Sequence, residues 1–181
     1  MQQQTAGGDR PGLYTEDERR RRDQTPWTLV QGILAPLQFF AFLASVALVL
    51  RYLQTGEGES AATVSVIVKT LFLYTIMITG AIWEKVVFGQ YLFARPFFWE
   101  DVFSMLVIAL HTAYLGALVT GLLDVREQML LALAAYATYV INAGQFLWKL
   151  RMARLEGERR KAAAANPTGT STVDASLEAA A

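Results

Sequence analysis

No cysteine occurs among the 181 residues, so disulfides, thiolate metal sites and cysteine nucleophiles are excluded outright. Histidine is nearly as scarce, with His111 the only one. No apolar run lies close to the first residue, where a cleavable secretory signal would carry one, so none is expected. Acidic and basic side chains are missing from Gln24 to Leu50 and again from Val102 to Leu123. They crowd mainly into the two ends, so the net charge of zero conceals a strong pattern. What fills the middle is apolar: 54% of the residues are hydrophobic and mean hydropathy is +0.30. Length alone suggests one domain, but this composition excludes a soluble domain with an ordinary core.

The first two dozen residues combine glutamine, glycine and mixed charge, which bury too little apolar surface to fold alone. The acidic TED–E cluster leading into four arginines has the makings of a short interfacial helix. Such a basic run suits nucleic acid or anionic lipid, but its place before an apolar segment favours a positive flank that orients a membrane span. Thr25-Pro26 then reads as a helix start, since proline fits the first turn where its missing N–H is no loss. The uncharged stretch that follows exceeds the roughly 20 residues needed to cross a bilayer. Pro36 inside it should kink the helix. Gln31, Gln38 and Ser45, seven residues apart, share one face and suit contacts between helices.

Three further spans follow, giving about 27–52, 61–88, 98–123 and 127–149. Glycines break the first turn (QTGEGES, 54–60), and Gly89 and Pro96 bound the second. Asp124 and Glu127 read as a capping box that opens the fourth span. The expected fold is therefore all-α, an integral membrane four-helix bundle. Residues 1–24 form a cytoplasmic tail, 25–155 the membrane domain, and 156–181 a low-complexity, disordered tail. Five arginines before the first span and six basic residues from Lys149 onward put both termini on the cytoplasmic side. Lys85 and Arg95 place the second connection there too, against Arg51 and Arg126 in the other two.

That orientation gathers polar groups from all four helices near the cytoplasmic face. Gln31 comes from the first, Glu84 from the second, Glu100, Asp101 and Ser104 from the third, and Asn142 and Gln145 from the fourth. Ionisable groups inside or at the edge of apolar segments are costly, which makes this level a candidate site. Lys85 offers a plainer account, because pairing with Glu100 or Asp101 would hold the hairpin without chemistry. Trp83, Phe97, Phe98 and Trp99 are interface anchors or, alternatively, surfaces for a flat ligand. His111 lies about midway along the third span, and Lys69 lies toward the opposite side, where it could snorkel or pair.

The segments WTLVQGILAP (27–36), IVKTLFLYTIMITGAIWEKVVFGQYLFA (67–94), FFWEDVFSMLVIALHTAYL (97–115) and LALAAYATYVINAGQFLWKLR (131–151) resemble the 2-vinyl bacteriochlorophyllide hydratases of photosynthetic bacteria. The resemblance covers about Leu13 to Leu155 and leaves only the extreme tails outside. It implies an enzyme of bacteriochlorophyll synthesis that adds water across the C3-vinyl group of a chlorophyllide or bacteriochlorophyllide, giving a 1-hydroxyethyl group. It also implies the cytoplasmic membrane as location and a magnesium chlorin as substrate. Membrane lipid and other enzymes of the same synthesis would be its partners, and nucleic acid would not. Hydration needs a proton for the terminal vinyl carbon, a water, and a base, and it requires no redox cofactor.

A carboxylic acid in an apolar, aromatic setting suits the proton donor, which points to Glu84 behind Trp83. Asp101 or Glu100, after Trp99, then suits the base. Trp83, Trp99, Gln31, Asn142, Gln145 and Lys85 become candidate substrate contacts. His111 is a candidate axial ligand of the substrate magnesium through a neutral imidazole nitrogen, or else a helix-packing histidine. A non-enzymatic pigment-binding or assembly scaffold stays open beside the hydratase. A transporter is disfavoured, with no internal repeat and no paired broken helices visible.

Overall fold

The computed structural model describes residues 13–165, and every regular element among them is helical. They are α1 (Glu16–Gln24), α2 (Pro26–Thr55), α3 (Glu59–Phe88), a single 3-10 turn (Arg95–Phe97), α4 (Phe98–Thr120) and α5 (Val125–Ala165). Four of these, α2 to α5, are long and apolar enough to cross a membrane. Of the expected tails, 1–24 and 156–181, residues 1–12 and 166–181 lie outside the described residues, whereas 156–165, expected to be disordered, are helical. Residues 14–145 and the segment from Phe146 onward are separate compact units. In the latter, α5 continues as a helix well past the expected end of the fourth span at 149. Its alanines, arginines and glutamates are good helix formers, so charge ends the apolar stretch without ending the helix.

Local chemistry sets the helix ends. The Thr15 side chain accepts from the Glu18 amide, and the Glu18 carboxylate accepts from the Thr15 amide, so the acidic cluster does nucleate α1. Thr25 caps α2, with Pro26 in its first turn. Asp124 and Glu127 form the same reciprocal pair ahead of α5, at 2.8 and 2.9 Å. Caps of this kind are worth about 1 kcal/mol each. Gly56 and Gly89 end α2 and α3 with φ of 74° and 85°, the left-handed conformation that closes a helix. Pro36 lies inside α2, and the helix runs through it.

Apolar surface does little to drive helices together in lipid, so small and polar side chains decide the packing. Ser45 of α2 sits at such a junction. Its Oγ lies 2.7 Å from Ser65 Oγ of α3 and 2.6 Å from Tyr136 Oη of α5. Gln31 Nε2 of α2 donates to Thr79 Oγ1 of α3 at 2.7 Å. Asn142 Nδ2 of α5 donates to Ser104 Oγ of α4 at 2.8 Å, and Tyr74 of α3 lies 2.7 Å from Thr112 of α4. The predicted Gln31–Gln38–Ser45 stripe thus faces inward, with Gln38 and Ser45 both buried. Phe42, Val49, Val66, Val107, Tyr114, Met129 and Tyr136 fill the space between these contacts. Outward positions such as Leu29, Phe40, Ile78 and Val119 are large, apolar and exposed, as a lipid-facing surface requires.

Candidate functional site

The end of α3 and the start of α4 bring three carboxyl groups together. Glu84, Glu100 and Asp101 are 6%, 5% and 3% exposed, which is rare for carboxyl groups. Glu84 and Asp101 stand within hydrogen-bonding reach of one another, and Glu100 adds its field to the pair. A hydrogen bond between two carboxyl groups needs a proton on one of them, and like charges so close cannot both ionise cheaply.

The connection between the two helices closes over this pair. The Phe93 N–H donates to Asp101 Oδ2 at 2.7 Å, and the next amide, of Ala94, donates to Glu84 Oε2 at 3.3 Å. Phe93 has φ of 60°, the only residue other than glycine with positive φ among those described. A non-glycine residue held there costs about 1–3 kcal/mol and persists only where its surroundings impose it. Here the two successive amides form a small anion-binding nest that the carboxyl groups fill. The short bond at Asp101 and the longer one at Glu84 make the two ends of the pair unequal.

An aromatic wall stands beside the pair. Trp83, Phe88 and Phe97 meet at ring-centroid distances of 5.7–5.8 Å. Tyr14 stacks on Phe88 at 5.7 Å and is covered in turn by Arg22, 4.8 Å from its ring. Burial pushes the Tyr14 hydroxyl pKa up, so Tyr14 is a neutral phenol at physiological pH. Trp83 Nε1 donates to Thr28 Oγ1, whose hydroxyl donates to the Arg22 carbonyl, so α1, α2 and α3 are tied at this end.

The other predicted site residues divide clearly. Asn142 and Gln145 face inward, with Asn142 Oδ1 and Gln145 Oε1 buried and without a hydrogen-bond partner among the described residues. Gln31 is taken up by Thr79. Lys85 turns away from the carboxyl groups, its Nζ donating to the Gly89 carbonyl at 2.8 Å and lying 5.3 Å from the Tyr91 ring. Trp99 is 66% exposed and touches Phe98 edge-on, on the outer surface. His111 is fully buried, and its Nδ1 lies 2.8 Å from the Val107 carbonyl of its own helix. Lys69 does not snorkel: it is 0% exposed and points into the bundle. Among the described residues no three histidine, aspartate or glutamate side chains, the carboxyl groups above included, are arranged to hold one metal ion.

Sequence reading missed the amides of Phe93 and Ala94, because backbone donors leave no mark on residue type. Tyr14 was missed too, though an aromatic residue just ahead of the Thr15 cap was a usable signal. The strain at Phe93 has a direct test. Phe93→Gly reaches the same φ without steric cost and should leave thermal stability in detergent unchanged or raised. Phe93→Pro cannot reach it and removes the N–H given to Asp101, so it should lose about 2 kcal/mol or more. Equal stability of the two variants would show that the latch carries no load.

Comparison with known proteins places the chain. A family model described as 2-vinyl bacteriochlorophyllide hydratase matches residues 14–152. The 2-vinyl bacteriochlorophyllide hydratase of Rhodobacter capsulatus is 75% identical over 147 residues, covering 81% of this chain and 85% of that one. Its counterpart in Cereibacter sphaeroides is 74% identical over 146 residues, covering 81% and 91%. No solved structure matches.

Proposed function

Because the chain belongs to the 2-vinyl bacteriochlorophyllide hydratase family, we propose that Glu84 and Asp101 are the acid–base pair with which it adds water to the C3-vinyl group of a chlorin. The enzyme is a hydro-lyase of bacteriochlorophyll biosynthesis. The observation that carries the residue assignment is the buried contact between the two carboxyl groups.

The chemistry then balances on this pair. Glu84 gives its proton to the terminal vinyl carbon. Positive charge develops on the carbon attached to the macrocycle, which spreads it by conjugation. A water oxygen bonds to that carbon, and Asp101 takes the released proton, leaving a 1-hydroxyethyl group. Contact between the carboxyl groups returns the proton to Glu84 and resets the site. Glu100 deepens the negative field that favours the cationic intermediate. Asn142 Oδ1 and Gln145 Oε1 offer acceptors that orient the attacking water. Trp83 gives the macrocycle an apolar surface beside the acid. Trp99, facing outward, and Lys85, at the turn, meet a chlorin that arrives from the interface, and Gln31 holds α2 against α3 at the same level. The nest amides must yield as substrate enters, since they occupy an oxygen of each carboxyl group.

The orientation follows from the arginines ahead of α2 and the basic residues from Lys149 onward in α5, which put both termini and the carboxyl end of the bundle in the cytoplasm. The location is the inner membrane, with lipid and neighbouring enzymes of the synthesis as partners. Reporter fusions after residue 56 and after residue 125 should read periplasmic, and those after 92 or 155 cytoplasmic. A cytoplasmic reading at 56 would overturn the orientation.

Glu84→Gln keeps shape and can still accept from Ala94, but has no carboxyl proton to give. The purified variant should insert and bind the vinyl chlorin, while hydration falls by about 100-fold or more. Asp101→Asn should fall comparably, and Glu100→Gln less. Loss of protein from the membrane with full activity per remaining molecule would assign Glu84 to holding the loop alone.

A further inference from the structure

The acid–base pair leaves the middle of the bundle unused, and the costliest buried side chain lies there. Lys69 of α3 is 0% exposed, and its Nζ rests 4.1 Å above the Tyr139 ring centroid of α5. Among the described residues that Nζ has no hydrogen-bond partner. An ionisable group inside a span is rarely left without a task. His111 of α4 packs against the same helix: it is 0% exposed, and its ring centroid is 5.8 Å from that of Tyr136, three residues before Tyr139. Its Nε2 also lacks a hydrogen-bond partner among the described residues, so two unpartnered nitrogens, Lys69 Nζ and His111 Nε2, lie against neighbouring turns of α5.

The backbone fixes what fits between them. A carbonyl only accepts, so the contact to Val107 O puts the hydrogen on His111 Nδ1 and leaves Nε2 with a bare lone pair. Lys69 supplies donors and no acceptor. An anion would satisfy Lys69 and leave His111 unmet, because neither it nor Nε2 has a hydrogen to give. A metal cation would satisfy His111 and be repelled by the ammonium. A hydroxyl does both, accepting from Nζ and donating to Nε2. We propose that Lys69 and His111 form a hydroxyl-binding site inside the span, filled by a water molecule or by the 1-hydroxyethyl group of the product. The water arm rests on this geometry alone, and the product arm rests on the hydratase reading. Buried waters are typically held by about three polar groups otherwise lacking partners, and the hydrogen-bonded line Ser65–Ser45–Tyr136 lies beside this one.

With a single histidine in the chain, the test reads one residue without ambiguity. The full-length protein, labelled with nitrogen-15 at histidine and held in lipid nanodiscs, gives one pair of ring signals. Nδ1 should appear protonated, and Nε2 should be shifted from the free-lone-pair position toward that of a hydrogen-bonded acceptor. A cross-peak to water in the ligand-free protein assigns the site to water. A shift that appears only on adding 1-hydroxyethyl chlorin assigns it to the product. Lys69→Met should remove the shift in either case, and the wild-type signal decides the matter if that variant does not fold. An Nε2 signal at the free position in both samples would overturn the proposal, as would an Nε2 that carries the proton itself. It would also fall if Nε2 moved only with magnesium chlorin and not with its metal-free counterpart, which would make His111 a magnesium ligand. None of these outcomes depends on Glu84 being the acid.

Discussion

Two carboxyl groups held side by side in an apolar surround are the constraint on which the architecture around the α3–α4 connection turns. Like charges so close repel, and a proton held between them or donors that reach them relieve that repulsion. The α3–α4 connection supplies those donors from its own backbone, and takes the strained conformation at Phe93 to do so. The aromatic wall of Trp83, Phe88, Phe97 and Tyr14 excludes water on one side, while α1 folds back to seal it. Loop, wall and short helix are thus arranged around a pair that would be unstable in isolation. On the proposed assignment such a site holds a proton next to an apolar surface, which is what adding water to an alkene needs.

Farther along the helices the same accounting applies to other groups. Inside a span, each polar atom must find its partner within the protein. Ser45, Ser65 and Tyr136 do so together, as do Asn142 with Ser104 and Gln31 with Thr79. Lys69 Nζ and His111 Nε2 are among the buried polar atoms that find no hydrogen-bond partner among the described residues. Their complementarity as donor and acceptor is what makes a small hydroxyl the natural third member.

Much of this was legible in residue order. Apolar runs bounded by glycine and charge gave the four spans, and Thr25-Pro26 and Asp124–Glu127 announced two helix starts that the structure contains. That Glu84, Glu100 and Asp101 lie at one end of the bundle could be read from chain direction, though not which of the last two stands against Glu84. What could not be read depended on rotation and on backbone. Lys69 looked free to snorkel because sequence does not say that its side chain is turned inward to Tyr139 of α5. Trp83 and Trp99 looked equivalent until the turn at Arg95–Phe97 set one against α2 and the other outward. Lys85 looked like the natural partner of the carboxyl groups, but the end of α3 offered its own carbonyl closer by.

The shared proton is the heart of this account, and infrared spectroscopy sees it directly. The ligand-free protein in lipid should show a protonated-carboxyl stretch at neutral pH that shifts in heavy water. Glu84→Gln should abolish that band, and Glu100→Gln should leave it in place. A wild-type spectrum without the band, or a band that survives intact in Glu84→Gln, would contradict the claim that Glu84 carries the proton delivered to the vinyl group.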